Sequence, residues 1–291
     1  MISILIPSKD YNCCRLVQTL QIQGEKRGVP YEVLVGEDGT SICNLHLNSE
    51  VDNLKNCRRI IREKSVGRAK IRNLLATEAQ YPNIIFIDCD AVVEKDDFLE
   101  CYITALKDNN VVCGSLYHAE TLADRSCSLR FKYEKKADKH RDAETRRKKP
   151  FENFTTFNFA IKRELFLSIM FDETITKYGY EDVLFGKELE QRDINILHIN
   201  NKLLHNGLDN NEVFLTKVEH SLQTLVEIKE KIGVTPLLSV ANNLERFRLK
   251  KLFMKYWNAE KGNLKRNLLG ENPSLKKLNI YKLGYYISID K

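Results

Sequence analysis

The stretch NIIFIDCDAVVEKDDF, residues 83–98, decides the fold. Its apolar run 84–87 has the character of a strand buried on both faces, and it leads without a spacer into Asp88-Cys89-Asp90. In an extended segment residues i and i+2 point to the same side, so two carboxylates arrive at one spot. Like charges so placed repel unless something positive sits between them. The stretch therefore predicts a core strand ending on acids suited to a hard cation such as Mg²⁺ or Mn²⁺. Asp is also common in strand-end turns, a reading that needs no cation.

Outward from this strand, short β-rich runs alternate with helical periodicity. ISILIP (2–7) reads as a strand, and NCCRLVQTLQIQGEKRG (12–28) as a helix with Asn12 as N-cap and Gly28 as stop. YEVLVGEDG (31–39) is a second strand and RRIIREK (58–64) a weaker third. VGRAKIRNLLATEAQ (66–80) is helical, with Ile71, Leu74, Leu75 and Ala79 on one face. DDFLECYITALK (96–107) is the next helix and VVCGSLYH (111–118) a fifth strand. Such alternation predicts an α/β fold, a mostly parallel sheet flanked by helices. Ligands of these sheets bind beyond the carboxyl ends of the strands. Pro7-Ser8, Glu37-Asp38 and Asp88-x-Asp90 all fall there.

Composition agrees with a globular chain: of 291 residues, 43% are hydrophobic and 30% charged. No apolar run approaches a membrane span. The start, MISILIP, has no basic leader and too short an apolar run for a signal peptide. All 8 cysteines lie between Cys13 and Cys127 without C-x-x-C spacing, which argues against a disulfide or zinc framework and for a cytoplasmic setting. The net charge of +6 is uneven, since residues 241–291 hold 12 Lys and Arg against 4 Asp and Glu. Residues 120–150 are dense in both charges and read as a solvated helix or loop, or as a flexible lid.

Several constellations carry chemistry, each beside a plainer reading. Glu37 and Asp38 close a strand before Gly39; one carboxylate could accept from a nucleoside, or the three residues are a turn. Arg68 and Arg72 share a helix face, for a nucleotide or for water. Glu181 and Asp182 open a helix, as the dipole favours, or serve as a general base and its neighbour. His205 follows an apolar run near the same edge, where a lone histidine is more often structural.

The order ISILIPSKDYN, VLVGEDGT, VGRAKIRNLLATEA, IIFIDCD, NFAIKRELF, YGYEDVLFG and HNG resembles family 2 of the nucleotide-sugar glycosyltransferases, with the GT-A fold, over roughly residues 1–210. The resemblance implies an inverting enzyme, a hexosyl- or N-acetylhexosaminyltransferase, that uses a nucleotide-diphosphate sugar, usually UDP-linked. It implies Mn²⁺ or Mg²⁺ held by Asp88, Asp90 and His205. It implies donor binding by Pro7, Glu37, Asp38, Arg68, Arg72, Asn73 and Asp88, with Asp182 as base and Glu181 positioning the acceptor. The acceptor would be a saccharide, as in polysaccharide biosynthesis, or a lipid-linked hydroxyl. Glu37 stands where the family usually has aspartate. No Q-x-x-R-W follows the Glu-Asp pair, so single addition is expected.

Residues 211–291 are expected to form a helical basic extension. Leu249, Leu252, Phe253 and Tyr256 make a stripe that suits either an anionic membrane surface or packing on a protein body. A sugar nucleotidyltransferase would carry a glycine-rich phosphate loop after the first strand, where this chain has PSKDYNCC. A non-catalytic basic protein is the other alternative. The near-neutral body argues against it for the whole chain, and no nucleic acid is expected as a partner.

Overall fold

Strands covered on both faces need no alternation, and the apolar runs of the first half behave accordingly. In the computed structural model, which describes residues 1–290, the elements run in order. They are β1 (Ile2–Ser8), α1 (Cys14–Arg27), β2 (Tyr31–Asp38), β3 (Cys57–Arg62), α2 (Arg68–Glu78), β4 (Asn83–Ile87), β5 (Ala91–Val92), α3 (Phe98–Ala105), β6 (Val111–Cys113) and β7 (Leu116–Tyr117). There follow α4 (Ser128–Asp138), α5 (Ala143–Arg147), β8 (Asn158–Lys162), α6 (Arg163–Ile169), α7 (Glu181–Gln191), β9 (Ile196–His198) and β10 (Leu203–His205). The last four helices are α8 (Asn211–Ile232), α9 (Pro236–Arg246), α10 (Lys250–Leu269) and α11 (Leu275–Ile289).

The chain falls into two units. The first comprises Met1–Ala119, Asp138–Thr176 and Glu181–Gly207; the second comprises Glu120–Ala137, Lys177–Tyr180 and the chain from Leu208. In the first unit a seven-stranded sheet has the order β3-β2-β1-β4-β8-β6-β9, parallel except at β8. A three-stranded sheet, β5-β10-β7, stands beside it. The period of two along each strand sorts the core into two layers. Ile4, Ile6, Val33, Val35, Ile85 and Ile87 share one with residues of α1 and α3. Leu5, Leu34, Ile84 and Phe86 share the other with residues of α2, α6 and α7. There Phe86, Phe159, Phe166, Phe171 and Phe185 pack with ring centroids 4.7–6.5 Å apart.

Three expectations change. The strand expected over 111–118 is broken: Ser115 has φ +71 and a Cβ on Gly114 would lie 2.3 Å from Tyr102 Oη, so the run splits into β6 and β7 in different sheets. The first helix starts at Cys14, and Asn12 Oδ1 accepts from Cys14 N at 3.0 Å. The charged stretch 120–150 is helical over much of its length, as one of its readings expected, but it is not wholly solvated. It holds α4 and α5, and Arg146 is buried, donating to the carbonyls of Cys113 and Ile199.

In the second unit, α8 buries Phe214, Leu215, Leu222 and Leu225 and contacts α10 and α11. Trp257 of α10 is buried against Gly284 of α11, where a Cβ would lie 2.2 Å from its ring. Leu249, Leu252 and Tyr256 stay exposed and Phe253 is half-buried, so the tail's stripe lies mostly on the surface and only the adjacent Trp257 enters the core.

Candidate functional site

β1 has β2 on one side and β4 on the other, so strand order reverses between β1 and β4, and a crevice opens beyond their carboxyl ends. A cavity of about 280 Å³ lies there, walled by Pro7, Asp38, Arg68, Arg72, Asp88 and Asp90 among others.

Asp88 and Asp90 do not continue the strand. Ala91 N donates to Asp88 O at 3.1 Å and closes a turn, and both side chains line the cavity. Asp88 Oδ1 accepts from Arg72 Nη2 at 2.6 Å. Asp90 Oδ2 lies 3.0 Å from His205 Nε2, while its buried Oδ1 has no hydrogen-bond partner among the described residues. Burial raises the Asp90 carboxyl, but a protonated His205 beside it outweighs burial and would leave the group below its ordinary value. Gly207 permits this approach, since a Cβ there would lie 2.3 Å from Asp90 Oδ2.

α2 explains the arginines. Their spacing of one turn puts Arg68 and Arg72 on the cavity side. Arg72 is 2% exposed, with its guanidinium 5.9 Å from the centroid of Phe171. Glu181 Oε1 lies 3.8 Å from Arg68 Nη1 and 3.9 Å from Arg72 Nη1, so the start of α7 reaches the same cations. Asp182 follows, half-buried. Burial first, and the adjacent Glu181 second, push its carboxyl up to about 7.

Two expected donor residues stand behind the wall. Glu37 is fully buried and accepts from Asn48 Nδ2 at 2.8 Å and Thr40 Oγ1 at 2.6 Å. Asn73 fastens the backbone of Phe171 through both its amide atoms. Asp38 lines the cavity, yet its carboxylate also accepts from Val66 N, Gly67 N and Ser65 Oγ, closing the loop before α2. Lys9 and Ser65 of the wall were not anticipated, nor was His118, whose Nε2 lies 2.9 Å from His205 Nδ1. The available signal for His118 was its place at the end of an apolar run, the same signal that marked His205.

Among the described residues no group of three or more His, Cys, Asp or Glu side chains is placed to hold a metal ion by itself. The donor set still fits a cation that takes other oxygens from a ligand: an unpartnered buried carboxylate oxygen, a neighbouring imidazole, and a glycine that leaves room beside them.

The family model described as glycosyl transferase family 2 matches residues 3–169. No curated protein sequence matches the chain. The chain is similar in fold to the mannosyltransferase PcManGT from Pyrobaculum calidifontis, solved with GDP-Man and Mn²⁺. The TM-score is 0.55 at 15% identity, over 81% of this chain and 65% of that one. It is similar to glucosyl-3-phosphoglycerate synthase from Mycobacterium tuberculosis, solved with Mn²⁺, UDP-glucose and phosphoglyceric acid. Here the TM-score is 0.51 at 14% identity, over 81% and 80% of the two chains. It is also similar to S. aureus TarS 1-349 with UDP, at TM-score 0.52 and 14% identity, over 99% and 90%. The chain thus spans just under two thirds of the mannosyltransferase's length, and 39% of a longer TarS chain.

Proposed function

Because the chain belongs to glycosyl transferase family 2, we propose that it transfers a sugar, with inversion, from a nucleotide-diphosphate donor to a hydroxyl of a saccharide or lipid-linked acceptor. The observation that carries this reading is the cavity at the strand-order reversal, where Asp88, Asp90 and Arg72 meet and one buried oxygen of Asp90 lacks a partner. UDP is the expected nucleotide. The neighbours solved with UDP, UDP-glucose or GDP-Man support a nucleotide-sugar donor.

Asp88, Asp90 and His205 would hold Mn²⁺ or Mg²⁺, which when bound supplies positive charge to the leaving diphosphate. Arg72, neutralised in part by Asp88, keeps that carboxylate oriented at the end of β4. Arg68, half-exposed on the same helix face, is placed to meet a phosphate. Asp182 accepts the proton of the acceptor hydroxyl, and Glu181 beside it, held near the two arginines, orients that hydroxyl. One base on the acceptor side suits a single displacement, which inverts the anomeric carbon.

We also propose that the exposed Phe247, Leu249 and Leu252, set among Arg246, Arg248, Lys250 and Lys251, bring the second unit to an anionic membrane surface. No helix among the described residues is long and apolar enough to cross a membrane.

The test of the central reading is a panel of UDP- and GDP-sugars with Mn²⁺, scored by donor hydrolysis and by transfer. Asp90→Ala is expected to abolish both while the fold survives. Full activity in EDTA would refute metal dependence, and inertness toward every donor would refute the reaction.

A further inference from the structure

We infer that His118, backed by Asp138, is a positioning residue that presents His205 to a divalent cation at Asp90; this rests on the metal-dependent reading above. Four side chains stand in one line of close polar contacts. Asp138 Oδ1 lies 3.1 Å from His118 Nδ1, His118 Nε2 lies 2.9 Å from His205 Nδ1, and His205 Nε2 lies 3.0 Å from Asp90 Oδ2. Asp138 is itself anchored, accepting from His118 N at 3.1 Å and from Arg141 Nη1 at 2.6 Å. Both imidazoles are buried.

The small sheet builds this line. His118 follows β7 and His205 ends β10, two strands paired in parallel. His205 is also paired with Ala91 of β5, the residue after Asp90. The two imidazole rings meet edge to face at 89°, and Phe157 covers His205 with a centroid separation of 5.2 Å. His205 has therefore no room to turn without breaking the line.

Donor and acceptor roles then follow from one end. A carboxylate only accepts, and Asp138 Oδ1 at 3.1 Å lies nearer to His118 Nδ1 than the Arg141 guanidinium at 3.4 Å, which donates to Asp138 instead, so His118 carries its proton on Nδ1 toward Asp138. A neutral His118 must accept at Nε2, so His205 carries its proton on Nδ1. His205 then directs a lone pair from Nε2 at Asp90 Oδ2, which also only accepts. Two acceptors at 3.0 Å repel unless a positive centre joins them. Either a proton or a cation can do so, and the unpartnered Oδ1 of Asp90 with the space kept by Gly207 favours a cation. Partners behind a ligating imidazole characteristically fix its tautomer, and losing one weakens metal binding by roughly 10- to 100-fold.

The experiment is a Mn²⁺ titration of the full chain, with UDP and separately with GDP present, read by electron paramagnetic resonance as loss of free ion. The proteins are the wild type, Asp90→Ala, His118→Met and His118→Gln. Met and Gln have similar length, but only Gln offers an oxygen that can replace Nε2 and accept from His205 Nδ1. The wild type is expected to bind Mn²⁺ and to show imidazole-nitrogen coupling in the pulsed spectrum. Asp90→Ala should lose binding. His118→Met should bind about 10- to 100-fold more weakly and lose the nitrogen coupling, while His118→Gln keeps most of both. Thermal melts report whether the variants are folded. If His118→Met does not fold, Asp138→Ala substitutes for it and is expected to weaken binding in the same direction. Equal affinity in His118→Met and His118→Gln, at whatever level, overturns the inference and leaves the metal reading intact. A wild type that binds no Mn²⁺ with either nucleotide overturns both.

Discussion

Replacing Asp182 by Asn separates its proposed role as base from its effect on stability, because the two move in opposite directions. Its carboxyl is pushed up from 3.8 to about 7, first by burial and then by Glu181. The folded protein therefore holds that proton more tightly than the unfolded chain does. Stability associated with this group is complete below about pH 4, declines as pH rises toward 7, and is flat above it. A difference of about three pKa units corresponds to at most about 4 kcal/mol, reduced in practice by the solvent that reaches a half-buried group. Asp182→Asn removes the buried charge and keeps the shape, so the variant should be more stable than the wild type at pH 8 and no more stable at pH 4. Its turnover should fall by about 10² to 10⁴, the usual contribution of a general base, with donor affinity little changed. In the wild type, kcat/KM should fall about tenfold per pH unit below about 7, since only ionised Asp182 accepts a proton. The assays are donor hydrolysis or transfer against pH, and denaturant melts at pH 4 and pH 8. A variant with near-normal turnover refutes the catalytic assignment and moves the role first to Glu181. A variant no more stable at pH 8 than the wild type refutes the burial argument.

Gly207→Ala should lower activity and Mn²⁺ affinity more than stability, because its Cβ would displace Asp90 Oδ2 from 2.3 Å; unchanged Mn²⁺ titration would show that the carboxylate moves freely. Trp257→Ala removes the ring that fills the space over Gly284, and about 3–5 kcal/mol of stability should go with it, read by denaturant melting. The combined change Phe247→Ser, Leu249→Ser, Leu252→Ser should leave melting unaltered, since all three are exposed, while abolishing sedimentation with anionic vesicles at low salt. A wild type that stays in the supernatant removes the membrane proposal.

The parts of the site that could be read in advance are those where one local signal does two jobs. The run 84–87 is both the strand and the means of delivery for Asp88 and Asp90, and a one-turn spacing places Arg68 and Arg72 together wherever the helix goes. Glu37 shows the limit. As an acid at a strand end it looks like Asp38, yet the period of two assigns it to the face of Val33 and Val35, away from Leu34 and Asp38. Both faces of β2 are buried, so parity separates Glu37 from Asp38 without saying which of them meets the cavity, and the Asn48 and Thr40 that hold Glu37 come from beyond the strand. His118 and Arg146 lay further out of reach. Strands of two and three residues have too little periodicity to announce a sheet, and the imidazole contact joins residues 87 apart. Arg146 sits in a run of charges that composition assigns to solvent, but it donates to carbonyls supplied by the distant β6 and the chain after β9. Local charge density cannot identify such a residue, because the acceptors that make its burial tolerable exist only after the sheets have formed. The line from Asp138 to Asp90 has the same origin: each member looks ordinary in its own segment, and only the pairing of β5, β10 and β7 aligns them.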